Sequence, residues 1–449
     1  MPSTPRTAKV LVAAAAIWLC APLAAQPPAQ DGDRLEIDLP TAVRLADERN
    51  LDVAIFLARI EAADARLKQA RLSAVPSVRV GATEDRHEGN IQETSGNVID
   101  VDRASRFRGV TAGIGIDVAD AIFAPLVARQ NRTALVAGST ANRHQVLMQV
   151  AAAYVQLVQT RSEADVIDRA LQRAEDLAAL TASYAESGEG LPSDAEMAAV
   201  QPLLWQQRRA IAEEREAAAN AELVRLLHLD AGVELEPLDA APPHLDIFSG
   251  DEDVAELIAR AQQGRPENEQ AEALVAAAEG QLRAERFGRF VPSLSLSTST
   301  GEFGGGPGTS ILNMDDRRDR SLMLYWQFDG FGLGQRARLE ERRAELHALT
   351  LEREKLRDAI AAEVREDHAV IVSLKRQIAL ADTAVAHAQR AYELNRTRIF
   401  DQQGLPLEAL QAMQTLATAE LAALEARAAW SIAQLRLHTA IGNPIAGAL

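Results

Sequence analysis

The chain is written twice. The segment AVPSVRVGAT at 74–83 returns as FVPSLSLSTS at 290–299, which sets Pro76 opposite Pro292 at an offset of 216. Farther on, SGEGLPSDAEMAAVQ at 187–201 returns as DQQGLPLEALQAMQT at 401–415, with Gly190 opposite Gly404 at an offset of 214. Two separate markers keep nearly one spacing, so each copy is a unit of roughly two hundred residues, far longer than a stacking solenoid repeat. A length of 449 residues would otherwise suggest about three compact domains. The duplication divides it instead into 26–229, a Pro-rich acidic connector at 230–253, and 254–449.

Within a copy the pattern reads helix, β-hairpin, very long helix, sharp turn, shorter returning helix. From about 126 to 187, and again from about 333 to 402, neither Pro nor a Gly cluster breaks the helical pattern, Gly138 excepted. At 1.5 Å per residue, ~60 residues reach about 90 Å, well beyond the ~30 Å of a bilayer core. In the second long helix Ile371, Leu374, Ile378, Ala381, Val385, Ala388 and Tyr392 step by alternating threes and fours, the spacing of a left-handed coiled-coil seam. Val166, Ala170, Ala174, Leu177, Leu180 and Tyr184 hold the same face in the first. Each long helix stops at Gly-Leu-Pro, at tips 188–192 and 402–406. A Gly past a helix end accepts the left-handed conformation, and Pro fits the first turn of the returning helix, so Gly190, Leu191 and Pro192, and likewise Gly404, Leu405 and Pro406, turn the chain back.

The strands are predicted at about 75–84 and 106–119, and at 291–300 and 320–329. Val110, Ala112, Ile114, Ile116 and Val118 alternate with Thr111, Gly113, Gly115 and Asp117, a period of two with one apolar face. Leu322, Leu324, Trp326 and Phe328 alternate likewise with Met323, Tyr325, Gln327 and Asp329. Alternation alone also fits an ordinary half-buried sheet, and hence a periplasmic coiled-coil scaffold. Aromatic placement favours lipid: seven of the 18 aromatics, among them Tyr325, Trp326, Phe328 and Phe331, fall in the 45 residues from Phe287 to Phe331, as rings do at a membrane interface. GEFGGGPG at 301–308 reads as a flexible hairpin tip. Four strands cannot close a membrane barrel, which needs at least eight with no free edge. The chain must therefore assemble with itself, as a dimer or a trimer.

Forty-seven Lys plus Arg against 64 Asp plus Glu give a net charge of −17, which excludes a phosphate backbone as partner. An apolar fraction of 47% excludes a disordered chain. The segment 1–25 reads as a signal peptide, with Arg6 and Lys9 before an apolar stretch and Ala24-Ala25 before Gln26. Cleavage there removes Cys20, the one cysteine; the rival reading makes Cys20 a lipidated N-terminus. Eight scattered histidines show no His-Glu-x-x-His pair, and no Gly-x-Ser-x-Gly elbow is present. Neither enzyme chemistry, a metal nor a cofactor is expected.

The ordering closely resembles the TolC-like outer-membrane efflux protein family from about residue 35 to 444. The residues that carry it are LPTAVRLADERNLDV, AVPSV, VPSLSLS, WQFDGFGLGQRARLE and the paired turns EGLPSDAEMAAVQ and QGLPLEALQAMQT. The resemblance implies a mainly α fold with a small β part, and a homotrimer: a 12-stranded barrel in the outer membrane continued by a 12-helix periplasmic α-barrel. It further implies tips that dock on a periplasmic adaptor protein, which links to an inner-membrane pump. The family's Val-Gly-Leu tip maps onto Glu189-Gly190-Leu191 and Gln403-Gly404-Leu405, so the leading Val is lost in both copies. Of the family's acidic pore rings, six and nine residues after the tip Gly, only Glu196 is kept; Ala199, Leu410 and Met413 stand at the other positions. Asp194 and Glu408, each four residues after its Gly, are substitute constriction residues or simply charges that compensate a helix dipole.

Overall fold

The computed structural model describes residues 34–72, 75, 77–288, 290–326, 329–400 and 406–447. The expected signal peptide with Cys20, the marker Pro76, the aromatic Phe328 and the tip residues Gly404 and Leu405 lie outside these. The chain opens with β1 (Arg34–Ile37), α1 (Leu39–Arg49) and α2 (Leu51–Leu72). Asp38 starts α1, its carboxylate accepting from the Thr41 N–H at 2.8 Å, with Pro40 in the first turn where a missing N–H costs nothing.

Two strands follow, β2 (Ser77–Gln92) and β3 (Val98–Asp117), then α3 (Val118–Glu186) and α4 (Pro192–Leu226). After the short β4 (Glu234–Pro237) the second copy repeats the order with α5 (Val254–Gly264), α6 (Pro266–Gly288), β5 (Ser293–Pro307), β6 (Asp315–Tyr325), a 3₁₀ turn at Asp329–Gly332, α7 (Leu333–Phe400) and α8 (Pro406–Ala440). The two long helices have 69 and 68 residues and the two returning helices 35 each, so the duplication is carried by length as well as by order.

Several boundaries differ from the sequence pattern. Helix α3 begins eight residues before 126 and runs through Pro125, because the Asp117 carboxylate caps the Asp120 N–H at 3.0 Å and fixes the first turn at the strand end. All four long strands extend past the alternating segments. The 301–308 segment is not a hairpin tip: Gly301 to Pro307 lie within β5, and the turn falls at 308–314. The connector is not wholly irregular either, since β4 pairs in parallel with β1, Leu35 against Leu235.

The four long strands form one sheet in the order β2-β3-β5-β6, every neighbouring pair antiparallel. The helices make a layer four wide. In the half next to the sheet, α2 and α6 flank the start of α3; in the far half α4 and α8 flank its end, and α7 runs the whole length beyond α6 and α8. Salt bridges mark the two halves: Arg132 holds Asp64 of α2, whereas Arg209 holds Asp168 at 2.7 Å between α4 and α3. Between the halves lies an apolar cluster of Ile37, Val43, Val150, Tyr154, Leu157, Leu223, Leu227 and Leu435. It joins both ends of the first copy to the second.

The predicted seams are where these helices meet. Ile371, Leu374, Ala388 and Tyr392 are buried, as are Val166, Ala170, Ala174 and Leu177. Alanine at three of these positions allows the axes to approach. Among the described residues no helix is long and apolar enough to cross a membrane.

Candidate functional site

Two regions stand out: the sheet, whose side chains sort by face, and the turn at the far end of the helices. Register assigns the faces. Ile114 stands opposite Leu296 and Leu296 opposite Leu322; Ile116, Leu294 and Leu324 form the next row, and Val78 faces Ala112 while Val80 faces Val110. That face is apolar in the two rows nearest the helical layer, while the Val78 and Val80 rows pass into Thr298 and Arg320, and Thr300 and Arg318, on β5 and β6. Its reverse carries Ser77, Thr111, Gly113, Ser293, Ser295, Ser297 and Ser321, with the Ser297 and Ser321 hydroxyls 2.7 Å apart. Farther along, the apolar face becomes charged: Arg108 holds Glu302 at 2.7 Å, Arg106 holds Glu84, and Arg86 holds Asp102 at 3.3 Å. Twenty residues of β3 span about 66 Å, about twice what a bilayer requires of one strand, so a charged upper part is expected of such a sheet.

The interface aromatics divide. Trp326 follows the last residue of β6 and is half exposed, and Phe331 stands wholly free at φ 58°, a left-handed conformation that a bulky side chain adopts only under constraint. Phe287 stacks on Phe123 with ring centres 6.3 Å apart. Tyr325 does not fit the apolar belt: it pairs with Ser293 and so lies on the serine face, because one residue of offset in a strand reverses the side chain.

At the far end, the first tip is built on two glycines. The left-handed residue is Gly188, at φ 77°, and not Gly190 as the Gly-Leu-Pro pattern suggests. Gly190 is needed for a different reason: a Cβ there would sit 3.1 Å from the Tyr184 Cβ and 3.2 Å from the Ala185 nitrogen. The Glu189 and Gly190 N–H groups both donate to the Tyr184 carbonyl, at 3.0 and 2.8 Å, which closes the last turn of α3. Pro192 then opens α4, and Leu191 stands exposed at the apex.

Of the constriction residues, Asp194 is half-buried and Glu196 exposed, both in the first turns of α4. Glu408 is instead drawn into an ion pair with Arg398 at 2.9 Å, across the second tip and within one chain. Pro406 begins α8, as Pro192 begins α4.

The structure also brings together residues that sequence spacing missed. The Tyr184 hydroxyl donates to the Ile399 carbonyl at 3.3 Å, Gln414 donates to Gln201 at 2.8 Å, and Arg173 pairs with Glu420 at 3.4 Å while lying over the Tyr392 ring. Each bridges the helices of the two copies toward their far ends. Burial pushes the Tyr392 hydroxyl up from its ordinary range, keeping it neutral beside Arg173. No local pattern marks these pairs, which are brought together only by the packing of the first copy's α3 and α4 on the second copy's α7 and α8. Among the described residues no group of three or more His, Cys, Asp or Glu is placed to hold a metal ion.

Residues 257–443 match the family model for outer membrane efflux proteins. The matched segment lies within the second copy of the duplicated unit. The first copy repeats its element order, and the whole chain shares the fold of solved outer-membrane channels. The outer-membrane channel OprN superposes with a TM-score of 0.75 at 19% identity, covering 90% of each chain. The outer membrane protein VceC of Vibrio cholerae gives 0.73 at 17% identity over 90% of this chain and 96% of its own. The MtrE outer membrane channel of Neisseria gonorrhoeae, in its open state, gives 0.70 at 19% identity over 91% and 89%. No curated protein matches.

Proposed function

We propose that this efflux protein is the outer-membrane channel of a tripartite efflux or type I secretion system, a passive conduit from the periplasm to the outside. The observation that carries this reading is a pair of open borders. The sheet ends in two unpaired strands, β2 and β6, while its apolar face calls for lipid. Unpaired backbone groups in lipid cost several kcal/mol each, so both edges must find partners. The helical layer is open as well: α7 exposes Leu351, Leu380 and Leu394 on one border, and α4 exposes Leu203, Leu204 and Ile211 on the other.

Three copies joined edge to edge give twelve strands and, at any height, twelve helices across, a barrel in the outer membrane and a tunnel into the periplasm. The tips, with Gly190, Leu191 and Pro192 in the first copy and Gly404, Leu405 and Pro406 in the second, are the docking points for a periplasmic adaptor and through it an inner-membrane pump. Adaptor binding favours an open arrangement of the tips over a closed one, a population shift that takes only a few kcal/mol of differential affinity. No covalent chemistry is asked of the chain.

Outer-membrane fractions should contain a heat-modifiable trimer that opens a pore in planar bilayers. Quantitative release with the soluble periplasm would overturn the reading in favour of a coiled-coil scaffold.

A further inference from the structure

The two free edges of the sheet complement each other in a single register. We propose that β6 of one copy pairs antiparallel with β2 of the next, Tyr325 opposite Ser77, an inference that rests on the channel reading above. The four strands alternate in direction, so β6 and β2 run oppositely and can join as a regular antiparallel pair. The apolar face must stay continuous across the joint, which restricts the displacement between copies to an even number of residues.

Within one chain the matched row runs Ser77, Gly113, Ser297, Ser321. The proposed register sets Ser321 against Gly81, four residues above Ser77. With about 3.4 Å per residue along a strand and about 4.8 Å between strands, a displacement of four over four strands tilts them by about 35°, and six tilts them by about 47°. Natural barrels lie at roughly 35–45°, so geometry leaves these two candidates.

Side chains choose between them. At four, Leu324 meets Val78 and Leu322 meets Val80, side chains left 55%, 68%, 72% and 76% exposed in that order in the single chain. Above them Arg318 meets Glu84, Arg317 meets Asp85, Asp316 meets Arg86 and Asp315 meets His87: four successive positions, each pairing an acid with a base. Among the described residues, Asp85, Asp316 and Arg318 have no ion pair within their own chain. Glu84 and Arg86 already hold Arg106 and Asp102, so the charged rows of one copy would continue into the next. At six, Asp319 meets Asp85, Arg318 meets Arg86 and Asp316 meets Glu88. Like charges directly opposite each other destabilise a pair of strands, whereas exposed opposite charges add little energy of their own. The charges therefore act by excluding the wrong register. All eleven residues of β6 find a partner within β2, with their ends flush beside the helical layer.

Disulfide trapping tests this in the full chain, assembled in outer membranes with Cys20→Ser as background. Thr83→Cys with Asp319→Cys should give interchain dimers and trimers under mild oxidation. They should form about tenfold faster than with Asp319→Cys combined with Gly81→Cys or Asp85→Cys, whose Cα atoms would lie beyond easy bridging distance. Glu84→Cys with Arg318→Cys reads the same register on the opposite face, and heat-modifiability of each variant reports its assembly. Faster trapping of a displaced pair, or heat-modifiable trimers with no trapping in any pair, overturns the register and leaves the channel standing. Recovery of every variant and the parent as soluble monomer overturns both.

Discussion

Gln434 is fully buried on α8, and its amide is saturated by the connector: the oxygen accepts from the Ile247 and Phe248 N–H groups at 3.0 and 2.7 Å, and the nitrogen donates to the Phe248 carbonyl at 2.9 Å. One side chain thus supplies the partners that a short irregular segment cannot supply for itself. Gln434→Leu keeps the volume but leaves three backbone groups unpaired, and should cost about 3 kcal/mol, read as a lower melting temperature of the assembled protein. Asp367 on α7 is the opposite case. Its carboxylate is buried, pairs with Arg436 at 2.8 Å and leaves its second oxygen without a partner. Burial, reinforced by Glu363 and Glu366 against the opposing pull of Arg436 and Arg265, pushes its pKa up from 3.8 to about 6. The folded form then holds the proton more tightly than the unfolded chain does. The resulting stability is complete below about pH 4 and is lost as pH rises through 6, amounting to at most about 3 kcal/mol. Melting temperatures of the parent should therefore fall between pH 5 and pH 7.5 by more than those of Asp367→Asn; equal falls would refute the assignment.

At the scale of elements, the joint between the two hairpins rests on two glycines. Gly109 and Gly301 face each other across β3 and β5, where a Cβ on Gly301 would lie 2.1 Å from the Arg108 oxygen and one on Gly109 2.4 Å from the Thr300 oxygen. The backbones approach more closely there than any other residue permits. Gly301→Val should separate the strands and sharply reduce the heat-modifiable trimer in outer membranes, while Gly115→Val, on the inner strand β3 at a site with open space, should not. The same glycines explain what was legible in the sequence and what was not. Period two over Val110 to Val118 announces a strand by the chemistry of its side chains. GEFGGGP has none to announce it, and Gly-rich segments read as turns even where glycine serves close packing within a sheet. The long helices were legible from the spacing of Ile371, Leu374 and Tyr392, since a seam repeats itself over many turns. Gly188 was not separable from Gly190, because which of two nearby glycines takes the left-handed conformation depends on where the last α-helical hydrogen bond closes. The Arg398–Glu408 pair was hidden for the same kind of reason, lying across a turn whose geometry no local pattern states.

At the scale of the whole molecule, the duplication yields two tips that are not electrically equivalent. From Glu186 to Gln201 the first tip holds Glu186, Glu189, Asp194 and Glu196 and no Lys or Arg, whereas the second sets Arg396 and Arg398 against Glu393, Asp401 and Glu408. In a trimer the first tip alone contributes four acids per copy to the narrow end of the tunnel, on a chain whose net charge is already −17. A narrow passage with low-dielectric walls focuses such a field, concentrating cations and repelling anions. The channel should therefore conduct cations preferentially, with a reversal potential of cation sign under a potassium chloride gradient in planar bilayers. Asp194→Asn with Glu196→Gln removes two of the four acids at positions open enough to tolerate the change, and should move that potential toward zero without altering the yield of trimer. A reversal potential of anion sign in the parent would refute the preference itself. An unaltered potential in the double variant would instead place its origin elsewhere along the helical wall, and would argue that the first tip serves docking alone.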